Sequence, residues 1–449
     1  MRSSSRSILH AAIVALCSLT AAHGARAESA PRRLTLAEAI DIALSQNPQL
    51  AIERENIAAA EARAASDATL RLPLLGVKAN VFFWDRKITA NLGPDIGEIT
   101  IRDRVTGTVD FSVSQPVSGA LVIGTLVERD RAATAASQAR RDGVRIDIAY
   151  QAAEAYLAAL QARTLGQVAA ATLQQLDGDL GHARVLLQAG TLQQVDVLRL
   201  EAERARAEQQ VLQVETQALG ARRRLARLLG LPDGSELALI DIDTAPPELP
   251  CAEDEAVVRA RRDRAELRGA AANRNVAELG VSVARANYYP SVSLVGIYSH
   301  AATAQFGTAA DTAYLGVSLD WNLWDWGKRS ADVDAAHALS RQARLAELAL
   351  GEQIAVDTRA TWQAARTARA TLEVAARGLA AAAEAQRLQA TRFAHGAATT
   401  VELLDAETAL ANAQAQSVIG RYQYLVAWMA LSRDVGTLPA QPQPRRAAN

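Results

Sequence analysis

The residues best placed to do chemistry in this 449-residue chain are acids beside two short glycine turns. Glu402 and Asp405 are spaced i, i+3, so on a helix they share one face. Asp196 lies beside the other turn in a matching place. Taken alone, the three read as solvated helical carboxylates. Beyond the N-terminal leader the histidines are His182, His300, His337 and His395, and none has a carboxylate or second histidine at zinc-ligand spacing. There is no glycine-rich phosphate loop, and no nucleophile and base can be paired. The expectation is a protein that is not an enzyme and needs no cofactor or metal. A net charge of −1 offers no cationic excess for phosphates, so nucleic acid is not an expected partner.

Elements that could position those acids show first in the composition. Half the chain (49%) is hydrophobic, largely alanine, and only 4% is aromatic. That mixture suits long helices packed closely together better than thick globular cores. Residues 1–27 carry Arg2 and Arg6, an apolar run over 8–22 and the small-x-small end Ala25-Arg26-Ala27, the pattern of an export signal. The run is too short for a membrane-spanning anchor. Its removal takes three arginines and no acid, moving the net charge from −1 to −4. It leaves Cys251 as a single thiol that cannot form an internal disulfide. No later segment offers about 18 unbroken apolar residues, so the mature chain is either soluble or crosses a membrane without helices.

A tandem duplication organises the remainder. Ala37-Glu38-Ala39-Ile40 and Asn47-Pro48-Gln49-Leu50 align with Asp254-Glu255-Ala256-Val257 and Arg264-Ala265-Glu266-Leu267 at an offset of 217. Val195-Asp196-Val197-Leu198, Gly190 and Gly230 align with Val401-Glu402-Leu403-Leu404, Gly396 and Gly436 at 206. The first half therefore has the longer loop between its strands. The expected organisation is a first repeat over 28–243, a linker over 244–253, a second repeat over 254–436 and a polar tail over 437–449.

Each repeat predicts two short helices, two strands, a very long helix, a glycine break near 190 or 396, and a helix returning. Strands are expected over about 74–84, 105–116, 291–299 and 313–323. The second of each pair alternates strictly, Val105, Gly107, Val109, Phe111 and Val113 against Thr106, Thr108, Asp110, Ser112 and Ser114. From about 120 to 189 and 328 to 395 no proline interrupts the chain, so each helix can extend roughly 100 Å. The return helices carry heptad seams of small residues, Val195, Leu198, Ala202, Ala205, Gln209, Leu212, Thr216 and Leu219 in the first repeat. Such seams fit an array of antiparallel helices, or a plain helical hairpin with no lumen.

Strands of about 10 residues with one apolar face match outer-membrane strands. Four cannot close a barrel, and open edges are not tolerated in lipid. Three chains pooling twelve strands would enclose a lumen, with the pooled helices forming a tube below. Phe82, Phe83, Trp84, Trp321, Trp324 and Trp326 fall at strand ends, where they would form interfacial girdles or pack beneath the strand-to-helix corner.

Leu34-Thr35-Leu36-Ala37-Glu38-Ala39-Ile40 and Asn47-Pro48, the duplication, Gln115-Pro116 and the two glycine turns together resemble the TolC family of outer-membrane efflux proteins. The resemblance covers essentially the whole mature chain. It implies a homotrimer with a 12-stranded barrel in outer-membrane lipid and a helical tunnel across the periplasm. It implies the exit duct of a tripartite efflux or type I secretion system, served by a periplasmic adaptor and an inner-membrane transporter. Gly190, Thr191, Leu192, Gly396 and Ala397 would then be the tips that adaptors contact. Glu402 and Asp405, with Asp196 nearby, would ring the periplasmic constriction, where crowding would raise some carboxyl pKa values and favour cations. One departure stands out. A tyrosine and an arginine that lock the tunnel in the best-known member are here Phe393 and Ala398, so the lock is not carried over. The competing expectation is a soluble periplasmic coiled-coil or adaptor protein, which carbonate washing of membranes would separate from a duct.

Overall fold

The computed structural model describes residues 32–91, 93, 97–232, 237–242, 245–301 and 310–437. The expected export signal, part of the linker and nearly all of the C-terminal tail lie outside the described residues. The elements in chain order are β1 (Arg32–Leu34), α1 (Leu36–Gln46), α2 (Pro48–Thr69), β2 (Leu74–Phe83), β3 (Ile88–Asn91), β4 (Glu98–Arg102), β5 (Val105–Pro116) and α3 (Gly119–Gln188). They continue with α4 (Gln194–Leu228), β6 (Leu237–Leu239), α5 (Glu253–Asp263), α6 (Ala265–Ala286), β7 (Ser291–Ala301), β8 (Asp311–Asp320), α7 (Lys328–Ala394) and α8 (Thr400–Asp434).

The four long strands form one antiparallel sheet in the order β2-β5-β7-β8. Because side chains alternate across a strand, the register decides what each face carries. Val77 sits opposite Phe111 and Phe111 opposite Tyr298, while Leu315 sits opposite Gly296 and Val317 opposite Leu294. These residues fall on one face, which is apolar and largely exposed, as at Leu315 (76%). On the other face Lys78 pairs with Asp110 and Asp110 with Ser299, next to Asn80, Thr108, Ser112 and Thr312. The sheet thus has one oily and one wet side, and among the described residues β2 and β8 are unpaired along their outer edges. The extra residues of the first repeat form the β3–β4 hairpin, which continues the β2–β5 hairpin past the bond from Trp84 N–H to the Arg104 carbonyl.

Below the sheet the helices lie side by side. α3 spans 70 residues, about 105 Å. Its first half packs on α2 and α6, its second half on α4 and α8, and α7 completes the row by packing on α6 and α8. Small residues set these spacings. A Cβ added at Gly143 would lie 3.8 Å from the Ala265 methyl, and at Gly420 3.5 Å from the Leu372 Cα. At mid-height Leu34, Tyr156, Leu157, Leu225, Tyr422 and Met429 form the largest buried cluster. Here β1 and β6 pair in parallel, and the Tyr156 hydroxyl lies 2.7 Å from the Leu34 carbonyl and 2.6 Å from that of Ile240. Burial pushes the Tyr156 phenol up to about 12, which keeps it a neutral donor.

The α4 seam differs from expectation. Val197, Leu200, Val214 and Ala218 are among the residues buried within the chain, whereas Val195, Leu198, Leu212 and Leu219 are exposed. The two rows are displaced by two positions, about 200° around the helix, so α4 carries apolar rows on opposite sides. Its place at the edge of the helix row leaves the second one open. In α8, which lies between α3 and α7, the corresponding Tyr422, Leu425 and Met429 are buried.

Candidate functional site

At the end away from the sheet, both hairpins close with the same backbone device. Gly190 (φ +77°) and Gly396 (φ +70°) follow the helix ends in the left-handed region that glycine enters without strain. Thr191 N–H reaches the Leu186 carbonyl and Gly190 N–H that of Leu187. Ala397 and Gly396 reach Arg392 and Phe393 in the same way. Both are Schellman ends, which satisfy carbonyls the terminating helix leaves unpaired. Leu192 folds back onto the Leu176, Leu180, Val197 and Leu200 cluster.

The helices that leave the two turns start differently, although they descend from one duplicated unit. In the second repeat Thr399 and Glu402 form a capping box: the Thr399 hydroxyl accepts from Glu402 N–H, and the Glu402 carboxylate accepts from Thr399 N–H at 2.7 Å. In the first repeat Gln193 stands at the cap and makes no side-chain bond to the helix. Asp196, at the place matching Glu402, instead lies 3.4 Å from Arg199, which stands where the second repeat has Asp405. The acids expected to act together are therefore unlike. Asp196 is charge-paired, Glu402 is held by the cap, and Asp405 is exposed. Within one chain the Thr399 bonds hold the Glu402 carboxyl below its ordinary range, with a smaller pull from the Arg392 charge. The signal for this box is the Thr399-x-x-Glu402 spacing ahead of an apolar run.

Phe393 is buried and meets the His182 ring edge-on at 6.4 Å. The position of the missing tyrosine is thus an apolar contact from α7 to α3. His395 ends α7, His337 contacts Arg285 and His300 contacts Asp311. Among the described residues no three His, Cys, Asp or Glu side chains converge as a metal site. Cys251 is half-buried, burial raises its thiol pKa, and its carbonyl accepts from the Trp362 indole.

The six aromatics divide between opposite ends of the sheet. Phe83 pairs with Val105 at the hairpin end, farthest from the helices. Phe82, opposite Thr106, is instead on the wet face, and Trp84, whose indole donates to the Thr106 hydroxyl, packs against it with ring centroids 5.9 Å apart. These two therefore do not join Phe83 in a lipid-facing girdle. The Arg102 guanidinium stacks 3.7 Å from the Trp84 ring centre. Trp321, Trp324 and Trp326 follow β8 at the helix end. The Trp321 indole donates to the Tyr288 carbonyl at the corner, and Trp324 and Trp326 pack edge-to-face at 5.8 Å. Trp326 is 89% exposed and Phe83 80%. Among the described helices none is long and apolar enough to cross a membrane.

An exposed apolar sheet face continued by helices of about 100 Å is the architecture of outer-membrane channels. The chain belongs to the outer membrane efflux protein family, matching it over residues 39–231 and 256–437. It is 24% identical over 363 residues to the outer membrane efflux protein BepC of Brucella suis biovar 1 (strain 1330), covering 79% of this chain and 77% of BepC. The fold is similar to that of the outer-membrane channel OprN (TM-score 0.76, 21% identity, 91% of each chain covered). It is equally similar to the open state of the Neisseria gonorrhoeae MtrE outer membrane channel (TM-score 0.76, 20% identity, 91% of each). Family membership places the chain in the outer membrane, its helices extending into the periplasm. It sets aside the soluble coiled-coil or adaptor alternative and assigns a channel rather than an enzyme.

Proposed function

We propose that three copies of this chain form a continuous exit duct that passively conducts cargo from an inner-membrane transporter and a periplasmic adaptor to the outside, in an efflux or type I secretion system. One observation carries the assembly: every lateral edge is unfinished. β2 and β8 each lack a neighbour in a sheet whose apolar face is built for lipid, and an edge unpaired in lipid costs several kcal/mol per polar group. The α4 edge beneath them presents the open row Val195, Leu198, Leu212 and Leu219. Joining β8 and α7 of one copy to β2, α2 and α4 of the next completes both layers at once. Three copies then supply twelve strands, enough to enclose a lumen lined by the wet face.

In this duct Phe83 supplies the outer girdle from the apolar face, Phe82 and Trp84 stand on the wet face beside Thr106 at the same level, and Trp321, Trp324 and Trp326 form the periplasmic girdle. Gly190, Thr191, Leu192, Gly396 and Ala397 are the tips offered to an adaptor. Glu402 and Asp405 supply negative charge at the narrow end, and Asp196 lies beside them with its charge compensated by Arg199. The test is to purify the mature protein from membranes in detergent, determine its mass, and record from it in planar bilayers. A trimer giving cation-selective steps is the expected result. A monomer that carbonate washes from membranes would sink the reading.

A further inference from the structure

The two hairpins meet near their tips along one seam, where α3 of the first touches α8 of the second. Other carboxyls buried between these helices have a cation or hydroxyl partner, as Glu53 has Arg140 and Asp434 has Thr361 and Arg264, whereas the one buried here faces another acid. Glu407 is only 7% exposed. Its Oε1 accepts from the Gln175 amide at 3.1 Å across the seam. Its Oε2 and Asp179 Oδ2 are both buried and have no hydrogen-bond partner, and Asp179 stands one turn from Gln175 on the same face of α3, which places it next to Glu407 across the seam.

Two ionised carboxylates are unfavourable neighbours where their facing oxygens are buried without a donor, because each needs donors and each repels the other. A single proton resolves both problems by making one oxygen the donor to the other. We propose that Glu407 and Asp179 share one proton that clasps the second hairpin to the first, and that losing this proton loosens the tip end of the protein. The surroundings offer no competing counter-charge. α3 contributes Asp179 and, one turn on, the exposed His182. α4 contributes Glu203 and Arg206 to the wall of an adjoining cleft of about 220 Å³, where they pair with each other at 2.7 Å. No α7 residue lines that cleft.

Burial, reinforced by Asp179, pushes the Glu407 carboxyl up to about 8. The native state therefore holds a proton that the unfolded chain gives up near 4.5. The clasp is intact below about pH 4.5, and its contribution falls as pH rises through that window, being lost above about 8. One turn beyond it the Phe393–His182 contact joins the same hairpins, so release is a loosening and not a separation.

The consequence for a gate rests on the duct reading, but the clasp is measurable without conduction. The full-length protein, with Cys251→Ser and spin labels at Ala189 and Ala394, is diluted with unlabelled chain, and the label distance is measured by pulsed electron resonance from pH 5.5 to 9.5. In the parent the distance is expected to lengthen and broaden with a midpoint near pH 8. Glu407→Gln should remove the step, and Asp179→Asn should move its midpoint in pH. Infrared pH-difference spectra should show a protonated carboxyl band lost over the same range and absent in Glu407→Gln. A parent with no step, a step that persists in Glu407→Gln, or the same widening on adding EDTA at pH 7, which would identify a bound cation, would each overturn the proposal. A labelled protein that shows the step but conducts no ions would leave the clasp standing and sink the duct.

Discussion

Charge and structure at the second tip can be separated by two substitutions, because Glu402 is tied into a cap and Asp405 is not. Asp405→Asn removes one charge per chain and no bond seen in the fold. Thr399→Ala removes the cap and leaves both charges. A monovalent ion passing roughly 6 Å from a carboxylate in water gains about 0.7 kcal/mol, so three copies of Asp405 supply about 2 kcal/mol. Salt screening over about 8 Å roughly halves this. About 1 kcal/mol is close to a five-fold effect on the cation, and because an anion is disfavoured by as much, the cation-to-anion permeability ratio changes by about 30-fold. Losing a threonine cap costs about 1 kcal/mol of stability at one helix start. Reversal potentials across a salt gradient and thermal melts of the same preparations read the two effects apart. Asp405→Asn is expected to lower the cation-to-anion ratio about 30-fold with no change in melting, and Thr399→Ala to lower the melting temperature with no change in that ratio. If Asp405→Asn leaves the reversal potential unchanged, the acid does not face the ion path. If Thr399→Ala shifts that potential as much, cap and charge are not independent.

Other outcomes follow from single contacts. Gly396→Ala should cost about 1 kcal/mol, and Gly396→Asn less, because no atom lies within 4 Å of an added Cβ and only the positive φ resists it; melting temperatures would rank the two. Tyr156→Phe strips the hydroxyl from the Leu34 and Ile240 carbonyls and should lower stability by about 1–3 kcal/mol, read from denaturant unfolding. Leu315→Arg on the oily face should cost about 2–4 kcal/mol per chain on insertion into lipid, while Tyr314→Arg on the wet face should be tolerated. Equal yields of membrane-inserted protein for the last pair would show the faces to be misassigned.

Much of the architecture was legible in the sequence because it rests on local periodicities. Absence of proline and a glycine at each end bounded α3 and α7 to within about one residue, and alternation at Val105–Ser114 marked β5. Elements that exist only through partners were not legible. β1 and β6 have three residues each and form because Arg32–Leu34 meets Leu237–Leu239 over the Tyr156 hydroxyl. The α4 seam was read correctly as apolar, but nothing local told which of two opposite rows the chain would bury. Glu402 and Asp405 could be found as acids, and the Thr399 box could have been. The setting of Glu407 could not, since its amide partner Gln175 lies 232 positions away.

Divergence between the two glycine turns bears on symmetry. A duplicated chain assembled in threes presents six hairpins, which a partner could meet as six equivalent docking sites. Asp196 with Arg199 makes every first hairpin locally neutral, while Glu402 and Asp405 outnumber the Arg392 cation at every second one and leave it negative. The rim therefore alternates in charge around its circumference. A partner ring of six identical units would face two electrostatically distinct grooves, and its own subunits would have to bind in two ways or in three pairs.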